Sequence, residues 1–327
     1  MNFLNRTEAV EQMNRLGKAG QQFLFIIDYK QECIWIEETD KVNPSEVLYN
    51  LNGYTNAGNA TLFPDKTIEW ETFPVSEEIY AASFRKVADA IHAGNSYLVN
   101  LTCSTPVRTN LTLDEVFFRS KARYKLRVKD MFTVFSPEIF VQMRDGFVYS
   151  YPMKGTIDAT LPDARQRILD DPKETAEHAT IVDLIRNDLS MISEEVTVSR
   201  YRYIDELQTN NGRLLQVSSE IRGRLPEGWQ SCLGEYLFRL LPAGSITGAP
   251  KKKTMQIIAE AETYERGFYT GVAGYFDGMQ LDSAVMIRFL EKQGEQFLFK
   301  SGGGITFRSD CDSEYNEMKQ KIYVPIY

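Results

Sequence analysis

Histidine and cysteine are scarce in this 327-residue chain, and their scarcity removes several chemistries at once. Two histidines, His92 and His178, are too few by themselves for a histidine metal centre or a hydrolase triad, and no G-x-S-x-G elbow is present. The four cysteines, Cys33, Cys103, Cys232 and Cys311, lie without C-x-x-C spacing. Neither a zinc site nor a disulfide framework is therefore expected, and a reducing cytoplasm fits. Basic runs are also lacking. The net charge is -8, the pI is near 5.1 and the only lysine triplet is at 251–253, so binding to nucleic acid or to an anionic membrane is not expected. No apolar stretch reaches the roughly 18 residues a membrane span requires, and MNFLNRTEAVEQMNRL mixes charge with apolar residues, so neither a span nor a signal peptide is expected. No G-x-G-x-x-G follows a strand, which leaves a nicotinamide or flavin site without support.

What is present is ordinary globular material, 43% apolar and 12% aromatic, enough for a buried core. FLFIIDY (23–29) and ECIWIEE (32–38) read as a β-hairpin. Residues 43–74, with Pro44, Gly53, Gly58, Pro64 and Pro74, read as mostly loop. Ser76 can cap a helix carrying Tyr80, Phe84, Val87 and Ile91 at helical spacing and stopped by Gly94, before a strand SYLVNLTCS. MFTVFSPEIFVQMRDGFVYSYPMKGT (131–156) reads as successive strands turning at Arg144-Asp145-Gly146, which would put Glu138 and Lys154 on neighbouring strands. Asp171-Pro172 can open a helix through TAEHATIVDLIRNDL. Strands mixed with amphipathic helices at no fixed βαβ period point to a single α+β domain over 1–327, without repeats or a linker.

Several residue groups could carry chemistry. Lys154 and Glu138 could be a cross-strand ion pair or a catalytic couple. In SEYNEMKQKI, Glu314, Glu317 and Lys321 fall on one helical face, which is either a solvated face or, with Glu174 and Glu177, a set of hard oxygens for Mg²⁺. AGSITGAPKKKT (243–254) fails as a phosphate loop because Ala-Pro follows Gly248, but Pro250 can open a helix whose amides face an anion. SGGGIT (301–306) permits close approach of backbone to a ligand or a plain turn. Arg288 interrupts the apolar AVMIRFL and needs a carboxylate partner, from the protein or from a ligand.

In order, PMKGT, EHATIVDLIRNDL, AGSITGAPK, GVAGYF, SAVMIRFL, SGGGI and SEYNEMKQKI closely resemble the signatures of the chorismate-utilising enzymes. The resemblance covers about 76–324 as the core, while residues 1–75 match weakly and are shorter than the N-terminal portion of most relatives. It implies an α+β domain of two antiparallel β-sheets packed face to face with helices outside, acting on chorismate with Mg²⁺. By motif position it implies metal carboxylates Glu177 and Glu317, with Glu314 close by. It implies substrate contacts from Arg288, Lys321, Tyr269, Ser245 and the amides of Gly303 and Gly304.

Lys154 resembles the aminodeoxychorismate synthase branch, since anthranilate synthases carry alanine at that position. The lysine base of isochorismate and salicylate synthases is here Leu98. The resemblance then implies that the Lys154 amine attacks C2 of chorismate while Glu138 protonates the departing C4 hydroxyl. Ammonia next displaces the lysine to give 4-amino-4-deoxychorismate, which a separate lyase would carry on to 4-aminobenzoate and folate. This chemistry expects a lowered Lys154 pKa and a protonated Glu138. Leu98, where amino-transferring members commonly have glutamine, and Gln216, where many have histidine, depart from the pattern. No amidotransferase nucleophile is present, so ammonia is expected from a separate glutamine amidotransferase subunit. Two further readings stay open: component I of anthranilate synthase, and a non-catalytic chorismate-binding subunit.

Overall fold

A computed structural model of the chain describes residues 1–58, 63–209 and 212–326. Helix α1 (Arg6–Lys18) opens on a capping box between Asn5 and Glu8, and β1 (Phe23–Ile27) and β2 (Ile34–Glu38) form the expected antiparallel hairpin. The stretch 43–74 departs from the loop reading, for it holds β3 (Val47–Leu51), β4 (Tyr54–Thr55) and β5 (Trp70–Thr72). Helix α2 (Glu77–His92) begins where Ser76 Oγ accepts from Ile79 N, and β6 (Leu98–Thr109), α3 (Leu113–Arg119), β7 (Tyr124–Val128) and β8 (Phe132–Ser136) follow. β9 (Ile139–Arg144), β10 (Phe147–Ser150) and β11 (Met153–Asp158) come next, then α4 (Ala164–Asp170) and α5 (Pro172–Leu189), where Asp171 Oδ1 accepts from Glu174 N at 3.0 Å. The chain continues through β12 (Glu194–Thr209), β13 (Gly212–Arg224), α6 (Leu233–Leu240), β14 (Gly248–Ala249) and α7 (Lys251–Ala261). It closes with β15 (Val272–Phe276), β16 (Leu281–Val285), β17 (Phe289–Gln293), β18 (Gln296–Ile305) and α8 (Cys311–Gln320).

Among the described residues the strands make two antiparallel sheets of nine. The first runs β11-β13-β10-β9-β16-β15-β1-β2, with β12 also on β13; the second runs β14-β6-β18-β17-β8-β7-β3-β4, with β5 also on β6. Residues 1–75 supply strands to both sheets, and so are built into the same body as the rest of the chain.

The layers explain why FLFII is apolar at every position. Phe23, Phe25 and Ile27 pack under α1, α5 and α6, whereas Leu24 and Ile26 face the second sheet alongside Val47, Leu126, Phe132 and Phe289. With period 2 and both faces covered, alternation disappears from the sequence. On the outer face of the second sheet, Val99, Leu101, Phe299 and Ile305 pack against α2, α7 and α8 through Phe84, Val87, Ile258 and Met318. The result is helix on sheet on sheet on helix, as the face-to-face reading expects.

Two connections pass from one sheet to the other side by side. Residues 137 and 138 join β8 to β9, and residues 286–288 join β16 to β17. They are stitched together by Val285 N to Glu138 O and by Phe135 N to Arg288 O, each 3.1 Å. Glu138 and Arg288 are thereby delivered to the same place, the seam where the two sheets part.

Candidate active site

That seam opens into a cavity of about 310 Å³, walled by Leu98, Asn100 and Gly302–Gly304 of the second sheet, by Val141, Ser150 and Met153 of the first, and roofed by Ile181 and Ile185 of α5. Lys154, Glu138, Ser245, Tyr269 and Arg288 line it, with Gly303, Gly304, Glu317 and Lys321. Glu177 and Glu314 stand immediately behind, the first bonded to Lys154 and the second against Gly303.

Lys154 is aimed by a bulge. The register of β11 on β13 slips between Lys154 and Thr156, and Gly155 takes φ 78°. A Cβ at Gly155 would stand 3.0 Å from Glu174 Oε2, so this glycine also lets α5 come close. Lys154 does not lie on a strand next to Glu138: β13 and β10 separate β11 from β9, and Glu138 belongs to the connection before β9. Its ion-pair partner is Glu177, Nζ to Oε2 2.6 Å. The expected lowering of the Lys154 pKa is reversed. Burial pushes the ammonium down, but Glu177, with Glu174 and Glu317 behind it, outweighs burial and the pKa is raised.

Helix α5 is fixed from below by His178, whose Nε2 is 2.7 Å from Ser219 Oγ of β13. Burial, with Arg202 and Lys154 nearby, lowers the His178 pKa to about 4, so this imidazole is a neutral strut near pH 7.

Glu138 receives a hydrogen bond from Ser245 Oγ at 2.5 Å. Burial raises its pKa, and the Ser245 bond with the charges of Arg288, Lys321 and Lys154 offsets only part of this. Ser245 sits in the turn Gly244–Ile246. The chain leaves that turn through Gly248, at φ 123°, where a Cβ would collide with Leu98 O at 1.8 Å. Arg288 is not inside a strand, as the apolar run suggested, but in the connection between β16 and β17 at φ 55°.

The glycine run is no turn either. It lies within β18, with Gly302, Gly303 and Gly304 opposite Thr102, Leu101 and Asn100 of β6. In an antiparallel ladder adjacent amides point to opposite edges, so Gly303 and Gly304 cannot both be committed to β6. The pairing of β17 with β18 ends at Lys300, opposite Phe289, and among the described residues no strand takes the other edge beyond it. A Cβ on Gly303 would stand 3.3 Å from Glu314 Oε2, 3.7 Å from Glu317 Oε1 and 3.8 Å from Lys321 Nζ. A Cβ on Gly304 would stand 3.0 Å from Leu98 Cδ1 and 3.8 Å from Lys154 Nζ. Missing side chains thus make room for α8 and for the Lys154 amine. Lys321 bonds Glu317 at 2.7 Å and Gly302 O at 2.9 Å, and burial lowers its pKa.

Among the described residues no group of three or more His, Cys, Asp or Glu is drawn together tightly enough to hold an ion, and Glu177 and Glu317 each face a lysine. The donor chemistry nevertheless suits a hard cation. Oxygens of Glu314 and Glu317 converge over Gly303, and Glu314 and Glu177 are only 4% and 8% exposed.

Residues 5–326 match the family of chorismate binding enzymes. The chain belongs to that family. It is 48% identical over 317 residues to an uncharacterised PabA-like protein of Pasteurella multocida, covering 97% of this chain and 98% of that one. It is 31% identical over 337 residues to aminodeoxychorismate synthase component 1 of Klebsiella aerogenes, covering 97% and 71%. Anthranilate synthase component I from Streptococcus pneumoniae superposes with a TM-score of 0.66 at 27% identity, over 77% of this chain and 58% of that one. The chain is therefore a chorismate-utilising enzyme by family, with the fold of two antiparallel sheets.

Sequence reasoning missed the scaffold behind this site. Arg266, 3% exposed, pairs bidentately with Glu262 at 2.6 and 2.9 Å and donates to Ile246 O at 3.0 Å and Asn100 O at 2.6 Å. Glu262 also accepts from Thr102 N and Oγ1. One buried pair therefore holds β6 and the turn that carries Ser245. Lys251 does similar work, pairing with Asp188 at 2.8 Å and donating to Leu240 O at 2.7 Å. The E-x-x-x-R spacing was the available signal for the first pair, but it falls outside a helix and reads as surface charge.

Proposed function

We propose that the chain is an aminodeoxychorismate synthase component I, aminating chorismate at C4 through a covalent adduct on Lys154. The observation that carries this is a lysine amine presented in the cavity beside Gly304, with a buried carboxyl, Glu138, in the same cavity. Arg288, Lys321 and the open glycine edge offer positive charge and amides for a dicarboxylate. Mg²⁺ held by Glu177, Glu314 and Glu317 would supply a hard cationic seat for a substrate carboxylate.

The chain's own residues then divide the work. As paired with Glu177, Lys154 is an ammonium, so this pair must open and pass on a proton before attack. The neutral amine forms a bond to C2, both conjugated ring double bonds shift, to C1–C6 and C4–C5, and the C4–O bond breaks with its electrons. Glu138, its pKa raised by burial, gives its proton to the departing hydroxyl, which leaves as water. Ammonia next forms the C4–N bond, and the C2–N electrons return to Lys154. Leu98 offers no base to activate water, which disfavours hydroxylation. The ammonia source is a glutamine amidotransferase partner, and the place of action is the cytoplasm; among the described residues no helix is long and apolar enough to cross a membrane.

The test is incubation with chorismate, Mg²⁺ and an ammonium salt. The expected product carries an amino group in place of a hydroxyl and keeps its enolpyruvyl group. Anthranilate as the product would replace this reading with the anthranilate synthase one.

A further inference from the structure

We propose that Asn100 is the residue that receives and orients the ammonia nucleophile. The assignment rests on the amination reading above and deepens it.

Asn100 lies on β6 two residues from Leu98, so both side chains belong to the strand face that walls the cavity. Its backbone is held on both sides. Asn100 N donates to Thr247 O at 3.0 Å, and Asn100 O accepts from Arg266 Nη2 at 2.6 Å. The side chain contrasts with this, because Oδ1 is buried without a hydrogen-bond partner. Buried acceptors are ordinarily satisfied, and one left open on a rigid strand at a cavity wall asks for a donor from a ligand. Directly across the ladder is Gly304, whose missing Cβ would stand 3.8 Å from Lys154 Nζ. The open acceptor is thus on the side of the cavity where the lysine amine works.

Chemistry selects ammonia as the donor. Glu138 in the cavity is already engaged by Ser245, and by the time ammonia attacks it has given its proton to the departing hydroxyl. Glu177 and Glu317 are occupied with Lys154 and Lys321. An amide oxygen is different: it accepts an N–H, has no proton to give, and leaves the lone pair directed at the substrate. Leu98 beside it gives water, the competing nucleophile, no polar partner. In the step served, ammonia's lone pair forms the C4–N bond and the C2–N bond to Lys154 breaks. The protonated secondary amine of the adduct leaves as neutral lysine, and the positive charge passes to the new C4 ammonium.

The experiment compares Asn100→Leu and Asn100→Ala with the wild-type protein at varied ammonium and at varied chorismate, with melting temperature as the folding control. The expected result is a KM for ammonia raised about tenfold or more, with the KM for chorismate and the rate of adduct formation on Lys154 within about twofold. The alanine variant carries the test if leucine does not fold. Unchanged ammonia dependence overturns the assignment, as does an equal loss in chorismate binding, which would place Asn100 on a substrate hydroxyl. If the wild-type protein itself makes no aminated product, the amination reading fails first and takes this assignment with it.

Discussion

Lys154 Nζ donates to Glu177 Oε2 over 2.6 Å, joining β11 to α5 at the wall of the cavity. Two roles proposed for different steps therefore meet in one ion pair: the nucleophile is held as an ammonium by a carboxylate assigned to the metal. Under the proposed mechanism, opening that pair is a condition for attack, which would make the cluster a gate on reactivity as well as a binding surface.

Glu138 and Ser245 set the pH response. In the proposed mechanism Glu138 acts as the protonated acid, and burial raises its pKa, so kcat at saturating ammonia is expected to fall as pH rises through that raised value. The Ser245 hydroxyl stabilises the carboxylate form. Ser245→Ala therefore raises the Glu138 pKa further and moves the falling limb to higher pH, while kcat on the plateau drops about tenfold from lost positioning. A limb that stays in place in Ser245→Ala, measured as kcat against pH, removes Glu138 as the acid.

The pair Arg266–Glu262 is a stability device. Both side chains are 2% exposed, so Glu262→Leu strands a buried guanidinium and costs about 3–5 kcal/mol, read by urea denaturation. Lys30–Glu265, with side chains 49% and 78% exposed, is the internal control, and its removal costs under about 1 kcal/mol. Equal costs would mean that the buried pair does not hold the scaffold.

Mg²⁺ dependence should report Glu317. Glu317→Gln removes one charge from a hard-oxygen set and weakens Mg²⁺ activation about tenfold to a hundredfold, measured by titrating the ion at fixed chorismate. Wild-type activation by Mg²⁺ in Glu317→Gln and Glu177→Gln would dismiss the assignment.

What the sequence made legible follows the range of the forces involved. Helices α2 and α5 carry their own caps, Ser76 and Asp171, and β1 and β2 meet across a short turn; these are local and readable. Strands β3 and β5 were hidden among Asn, Gly and Pro because their partners, β7 and β6, are far along the chain. The insertion of β13 between β11 and β10 is likewise non-local, and it is why spacing placed Lys154 wrongly beside Glu138. The break at Arg288 was masked by an apolar run that continues through both strands it joins. Residues from Glu138 to Lys321 could be grouped beforehand only through the resemblance of their motifs. No periodicity reveals that two sheet-to-sheet connections deliver Glu138 and Arg288 side by side.

The most direct measurement is the mass of the protein itself, given chorismate and Mg²⁺ without ammonia and quenched in acid. The account predicts that the peptide carrying Lys154 gains the mass of chorismate less water. It predicts that Lys154→Ala gains none, aminates about a hundredfold more slowly or worse, and still folds, with about 1–3 kcal/mol lost with the Lys154–Glu177 ion pair. No adduct on the wild-type protein, together with near-normal amination by Lys154→Ala, would contradict it.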